Sequence, residues 1–309
     1  MQYIEFGQDQ DRVSQIILGT MNLGFLDDKS AETLLRGALE EGINFWDTAD
    51  CYGGGASEER LGAFFAANPG MREKVFLQSK CGIREEDGIK WFDFSAEHIL
   101  EAVDDSLKRL RTERLDCLLL HRPDVLMEPD EIADAFRILH KTGKVRSFGV
   151  SNMNPMMIER LQKATKYKLE TNQIQLSCAF SPVFDAAFHV NMESSLGIMR
   201  DGSVMEYCSQ QDMAIQAWSP LRYGNFEGIL IGSPQYEKLN EVLDRIAKEQ
   251  KVTPTAVALA WILRYPARMQ AVIGTTKPER VSESAKAADV TLTRKQWYEI
   301  YQAAGKDLP

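Results

Sequence analysis

Histidine and cysteine are scarce in this chain, and their spacing excludes whole classes of chemistry. Among 309 residues there are four histidines, and no HxH or HExxH occurs. A metal-dependent hydrolase is therefore disfavoured and no metal is expected. The five cysteines (Cys51, Cys81, Cys117, Cys178 and Cys208) are odd in number and contain no CxxC pair. Neither a disulfide framework nor a zinc site is expected, which fits a reducing cytoplasm. Basic charge is lacking too. A net charge of −9 argues against a general nucleic-acid surface, although a local Arg or Lys can still hold a small anion. The N-terminal MQYIEFGQDQDR has neither the basic start nor the apolar stretch of a signal peptide. The most apolar run, Ala256–Leu263, is too short to span a bilayer. The expectation is a cytoplasmic protein without membrane attachment, a monomer or small homo-oligomer.

What is present is a regular alternation. With 44% hydrophobic and 26% charged residues the composition is that of a soluble globular chain, and no linker or composition break divides residues 1–309. Short runs apolar on both faces suit buried parallel strands. They are Ile16–Leu18, Asn44–Trp46, Val75–Gln78, Leu115–Leu120, Ser147–Val150, Asn172–Leu176, Ala214–Ala217 and Ala271–Ile273. Helix signals fill the gaps. Ser30 is expected to cap a stripe of Leu34, Leu35, Ala38 and Leu39, with Gly42 at a left-handed C-terminal position. Ser95 precedes Ile99, Leu100, Val103, Leu107 and Leu110, and a third stripe holds Ile132, Ala135, Phe136 and Leu139. Thr253 with Pro254 opens the helix through Ala256–Leu263. Eight strands with a helix after nearly every one predict a single closed (β/α)₈ barrel, with a hairpin before Ile16 across its floor. The alternative is an open doubly wound sheet, but GTMNLG at Gly19–Gly24 is not the GxGxxG that such a sheet uses for a dinucleotide.

In a barrel, reactive groups stand just beyond the C-terminal strand ends. Asp47 ends NFW, Tyr52 lies in the following loop, Lys80 ends VFLQS and His121 ends LDCLLL. Singly, each has an ordinary reading: a turn residue, a surface aromatic, a solvated charge, a structural histidine. Together they suit carbonyl reduction, which needs hydride at carbon and a proton at oxygen. A neighbouring ammonium favours the phenolate of a tyrosine and lowers its pKa. Asp47 is the natural counter-charge for a buried Lys80, and His121 can donate to the substrate oxygen. Cys51 and Cys81 flank this set, with no base near either in sequence to activate it. Trp91, Phe92 and Phe94 are expected either to wall the pocket or to pin their loop, and the charged Arg84–Asp87 run reads as solvated.

At these residues the sequence resembles the aldo-keto reductase family, and within it a bacterial branch of oxidoreductases. INFWDTADCYGGGASEERLG (Ile43–Gly62) is similar to the family's D-T-A-x-x-Y-G core and its S-E-x-x-L-G continuation. SKCG (Ser79–Gly82), LLLHRPD (Leu118–Asp124), FGVSN (Phe148–Asn152), NQIQLS (Asn172–Ser177), AWSPL (Ala217–Leu221) and IGTTKPER (Ile273–Arg280) follow in family order over almost the whole chain. The resemblance implies NAD(P)H-dependent reduction of an aldehyde or ketone. Tyr52 would be the proton donor, Lys80 its pKa partner, Asp47 the holder of Lys80, and His121 the group that orients the carbonyl.

It also implies a cofactor lying across the barrel mouth. Ser151, Asn152 and Gln173 would bind the carboxamide and Trp218 would stack on the nicotinamide. Ser219, Pro220, Leu221, Arg222 and Gly224 would line the pyrophosphate path, and Gly19, Thr20, Met21 and Asp47 would also contact the cofactor. Ile273, Gly274, Thr275, Thr276, Lys277, Arg280 and Glu283 would surround the adenosine. Arg280 facing a 2′-phosphate favours NADPH over NADH. Many relatives carry lysine at the place of Gly274 and asparagine at that of Ser284. A weaker phosphate clamp and a lost adenine contact are therefore expected, with Lys277 as compensation. Substrate choice would rest on residues 82–94, 122–129 and 221–235, and the short tail after the last helix implies an open pocket of broad specificity. The rival readings are a cofactor-sensing regulatory subunit with little turnover and an unrelated barrel isomerase.

Overall fold

The computed structural model describes residues 1–200, 202–224 and 227–309. Twelve strands follow in order: β1 (Tyr3–Phe6), β2 (Asp11–Ser14), β3 (Ile16–Gly19), β4 (Phe45–Asp47), β5 (Phe76–Cys81), β6 (Ile83–Glu86), β7 (Ile89–Phe92), β8 (Leu115–Leu120), β9 (Val145–Ser151), β10 (Leu169–Gln175), β11 (Ala214–Trp218) and β12 (Met269–Ile273). Eight of them, β3, β4, β5, β8, β9, β10, β11 and β12, form one closed barrel, with β12 pairing back onto β3. All eight apolar runs in the sequence lie within or overlap these strands, each pair is parallel, and the chain is a single (β/α)₈ barrel.

The helices wrap the outside. They are α1 (Asp28–Glu40), α2 (Ala56–Ala67), α3 (Ala96–Leu110), α4 (Pro129–Lys141), α5 (Pro155–Ala164), α6 (Pro182–Phe188), α7 (Val204–Gln210), α8 (Glu237–Gln250), α9 (Pro254–Leu263), α10 (Pro278–Ala285) and α11 (Arg294–Ala303). Ser95 caps α3 through the His98 amide, and Thr253 caps α9 through that of Ala256. Ser30 does not cap α1. Asp27 does, accepting from the Ser30 amide at 2.7 Å, because Asp27 has the extended backbone of a cap while Ser30 already lies inside the helix. No helix among the described residues is long and apolar enough to cross a membrane.

Two short hairpins stand outside the barrel. β1 and β2 close its floor, where Phe6 packs edge-on against Phe45 and Phe76, each at 5.3 Å between ring centres. This aromatic plug, with Val13, Ile17 and Leu119, seals one end and leaves the other open. The second hairpin, β6 with β7, occupies the segment expected to be a loop. Arg84 at its base pairs with Asp93 and lies over Trp91, while Phe94 is buried beneath Gly82. These aromatics pin the hairpin and stand outside the main cleft.

The S-E-x-x-L-G stretch has a packing role. Ser57 donates to the Met21 carbonyl, tying the start of α2 to the loop after β3. Glu58 is fully buried and accepts from Ser79 at 2.6 Å and Arg109 at 2.8 Å, joining α2 to β5 and α3. Gly62 sits where α2 crosses α3, and a Cβ there would overlap the Arg109 carbonyl. Gly62→Ala should therefore push these helices apart and destabilise the fold by about 1–3 kcal/mol. A fall in the urea midpoint without a change in slope would register this; an unchanged midpoint would mean the helices yield freely.

Candidate active site

The open end of the barrel carries a polar layer that the strand register assembles. Gln173 is level with Gln216, and Gln216 with Gln270. Asp47 is level with Gln78, and Lys80 follows two residues along β5 on the same inward face. These side chains are buried and mutually satisfied. Gln78 donates to Asp47 Oδ1 at 2.7 Å and Gln173 to the same oxygen at 3.1 Å, while both also donate to Gln216 Oε1. Gln216 in turn donates to Gln78 and Gln270. The glutamine layer escapes a reading by periodicity, but its signal is present: an inward glutamine (Gln78, Gln173, Gln216 or Gln270) stands inside each of the runs FLQS, NQIQ, AIQAW and MQAVI.

Lys80 rises from this layer. Its Nζ donates to Asp47 Oδ2 at 2.7 Å, to the Thr48 carbonyl at 2.8 Å and to the Tyr52 hydroxyl at 3.1 Å. All three ammonium donors are thus used, the condition for burying the charge. Tyr52 is presented by a 3₁₀ turn (Tyr52–Gly55) in which Gly53, Gly54 and Gly55 take φ of +60°, +65° and +97°. Three successive left-handed residues need glycine, and they turn the chain sharply between Tyr52 and α2. His121 closes the group. Its amide donates to the Cys81 carbonyl, and its ring meets that of Tyr52 edge-on at 5.7 Å. The four strand-end residues therefore meet at one place.

Burial sets the protonation states. It pushes the Tyr52 hydroxyl above the ordinary tyrosine value, with Lys80 pulling the other way and Asp47 adding to the rise. The net direction is upward, opposite to that expected from Lys80 alone, because desolvating a phenolate costs more than one ammonium repays. Burial alone would lower Lys80, but Asp47 and then Tyr52 outweigh it and hold the ammonium above its usual range. His121 falls well below its ordinary value through burial, then through the charges of Lys80, Arg122 and Lys90, so its ring is neutral near pH 7. Cys51 has a base nearby after all: its Sγ lies 3.7 Å from His121 Nδ1. Burial nonetheless raises the thiol to about 11, so it is no nucleophile. Asp50 is raised to about 7 by burial and by Glu58, and its Oδ1 has no hydrogen-bond partner.

One cleft of about 540 Å³ runs from this group across the barrel mouth. Its wall includes Gly19, Met21, Asp47, Tyr52, His121, Ser151, Asn152, Gln173, Trp218, Ser219, Pro220, Leu221 and Arg222, and continues through Ile273, Gly274, Thr275, Arg280 and Glu283. Lys80 lies behind Tyr52 rather than in the wall. Thr20 is buried and ties its hydroxyl to the Asp47 carbonyl. Gly224, Thr276 and Lys277 stand outside the wall, with Gly224 accepting from Gln175 and Lys277 exposed. Of the 221–235 loop, residues 225 and 226 lie outside the described residues. The wall also contains Asn22, Arg122, Ile229, Ile231, Thr255, Val272 and Ser284. Helix starts and loop positions such as Thr255 and Asn22 carry no local pattern that marks them.

Several contacts fix the wall. Trp218 Nε1 donates to Asn152 Oδ1 at 3.0 Å, and Asn152 donates to Ser151 Oγ at 2.8 Å. Gln173 spends its Nε2 on Asp47 and Gln216. Ser284 donates to the Arg280 carbonyl, which keeps its short side chain against its own helix. The tail is held to α6, where Lys306 pairs with Asp185 at 2.6 Å, and none of its residues lines the cleft.

The sequence model of the Aldo/keto reductase family matches residues 15–304. The chain is 35% identical to 6-dehydroglucose reductase of Agrobacterium fabrum over 97% of each chain. It is 36% identical to oxidoreductase YdhF of Escherichia coli, over 88% of this chain and 86% of that one. Among solved structures, the thermostable aldo-keto reductase Tm1743, in complex with the inhibitor epalrestat, superposes with a TM-score of 0.78 at 25% identity, over 98% of this chain and 100% of that one.

The buried pair generates a stability prediction. Lys80→Met leaves Asp47 charged and short of a donor, and should cost about 3–5 kcal/mol. Asp47→Leu/Lys80→Met removes both charges and should cost less than the sum of the two single changes. Chemical unfolding of the four proteins measures the coupling, and additive losses would show that the pair does not act as a unit.

Proposed function

The chain belongs to the aldo/keto reductase family of oxidoreductases, and we propose that it reduces an aldehyde or ketone to the alcohol with a nicotinamide cofactor, Tyr52 supplying the proton. The observation that carries this reading is the Lys80 Nζ contact with the Tyr52 hydroxyl at 3.1 Å, beside a neutral His121 at one end of the cleft.

The residues present fit such a cofactor. Trp218 offers a flat indole in the wall, the backbone at Gly274 faces open space, and the Arg280 side chain has no carboxylate partner among the described residues. Ser151, Asn152 and Gln173 would hold the carboxamide, and Trp218 would fix the presented face of the ring. When bound, a reduced nicotinamide supplies hydride to the carbonyl carbon.

The chain's own residues handle the oxygen. Neutral His121 donates a hydrogen bond to it and holds it beside Tyr52. As the carbon gains hydride, the C=O π bond opens and the oxygen takes the Tyr52 proton, leaving an alcohol and a phenolate. The raised Tyr52 pKa is no obstacle, because the nascent alkoxide is a far stronger base. Lys80 stabilises the phenolate while Asp47 keeps the ammonium in place, and a solvent proton then restores the hydroxyl.

Arg280 marks the adenosine end and favours NADPH, since a guanidinium recognises a 2′-phosphate by paired hydrogen bonds. The first amides of α10 lie in the same region, with Thr275 accepting from the Lys277 amide at 3.1 Å.

Two outcomes are expected. Tyr52→Phe should lower kcat for 4-nitrobenzaldehyde by at least about a hundredfold while NADPH still quenches Trp218 fluorescence on titration. A variant that kept most of its rate would remove the proton-donor role. Arg280→Ala should raise the Kd for NADPH by about tenfold or more and that for NADH much less. Equal losses for both would end the preference for NADPH.

A further inference from the structure

Arg122 is the one member of the catalytic end of the cleft whose charge nothing in the proposed reaction uses. It follows His121 directly after β8, lines the cleft, and is half-buried. Its guanidinium lies 5.4 Å from the centre of the Trp218 ring, a cation–π contact that occupies a face and leaves the N–H donors unspent. Among the described residues Arg122 makes no ion pair and donates no hydrogen bond. The nearby acid does not serve it: Asp124 spends its two oxygens on the amides of Leu126 and Phe94.

Part of this guanidinium is withdrawn from water, and none of its five donors meets a protein acceptor among the described residues. Burial pulls its pKa down, the sign of a cation without compensation. Its surroundings add positive charge rather than remove it. Lys80, Arg122 and Lys90 all bear on His121, while Asp47 is spent on Lys80 and Asp50, raised to about 7, carries only part of its charge near pH 7. In a chain of net charge −9 this end of the cleft is locally cationic. The same field argues against reading Asp50, Cys51 and His121 as a cation site, although their ligand atoms lie within 4.8 Å of one another.

Resting on the carbonyl-reduction reading above, we infer that Arg122 binds an anionic group of the substrate, so that the preferred carbonyl compounds carry a carboxylate or phosphate. The guanidinium forks onto two oxygens of that group while the carbonyl reaches Tyr52 and His121. Arg122 thus acts in binding and selection, and the proton still comes from Tyr52. Lys90, exposed on β7, adds attraction at longer range without a fixed contact.

The test uses matched substrates with NADPH. 4-Formylbenzoate is compared with its methyl ester, and glyceraldehyde 3-phosphate with glyceraldehyde, as kcat/KM ratios of charged to neutral. In the unaltered protein at least one ratio should exceed about ten, and the larger ratio identifies carboxylate or phosphate as the preferred anion. Arg122→Met should bring that ratio down about tenfold or more, chiefly through KM, and Arg122→Lys should restore part of it. High salt should lower the ratio in the unaltered protein, a measurement independent of any variant. If neutral partners are reduced as well as or better than charged ones, the inference is overturned while the carbonyl-reduction reading stands. If the ratio is high and survives Arg122→Met, Arg122 is not the anion site. If none of the four compounds nor 4-nitrobenzaldehyde is reduced, both readings fall.

Discussion

A lysine ammonium and an aspartate carboxylate, both almost wholly out of water, sit 2.7 Å apart inside the barrel mouth, and the site is arranged around that fact. Each charge alone would cost several kcal/mol to bury, so the pair is tolerable only when every remaining donor and acceptor is met. Thr48 and Tyr52 take the other two lysine donors, while Gln78 and Gln173 supply the second aspartate oxygen. Gln216 then binds the two glutamines to each other and to Gln270 on the far strand. One ion pair thus draws polar side chains from four strands into the interior of an otherwise apolar fold. Its register cannot slip by one residue without turning those side chains outward.

The support around the pair is ordered from the inside out. The aromatic floor of Phe6, Phe45 and Phe76 closes the barrel beneath it, which keeps water from reaching the charges from below. The three left-handed glycines aim Tyr52, and Glu58 locks the helix that follows them to β5 and α3. At the rim, Asn152 and Ser219 hold positive φ at strand ends, where the chain turns to offer polar groups to the cleft. Rigid strands carry the charged groups, while loops carry the groups that face a ligand. The cleft is accordingly uneven: on the proposed reading, chemistry would gather at Tyr52 and His121, and recognition of charge would fall to Arg122 and Arg280, which also line it.

Much of this was legible in the residues. Runs apolar on both faces identified all eight barrel strands, because parallel strands under helices have no solvated side to blur them. Asp47, Lys80 and His121 stood out for the complementary reason, since a polar group closing such a run needs a partner, and Tyr52 lies in the loop just after one of them. Other features were not legible. Asp27 rather than Ser30 caps α1, as both residues suit a cap and only the backbone angles choose between them. The β6–β7 hairpin reads as a loop because its strands are short and charged. The thiol of Cys51 has no base near it along the chain, yet His121, seventy residues on, lies beside it.

The sequence by itself determined the barrel, the order of its strands and the identity of the charged and aromatic groups at their ends, because those follow from local periodicity and from the cost of burying charge. Only the tertiary structure decided what each group experiences. Burial outweighs Lys80 and raises Tyr52, His121 is held neutral, the glutamines of separate strands join into one layer, and Arg122 lies over Trp218 with no carboxylate partner among the described residues. Desolvation and the sum of neighbouring charges depend on distances across the barrel, and no spacing along a chain contains them.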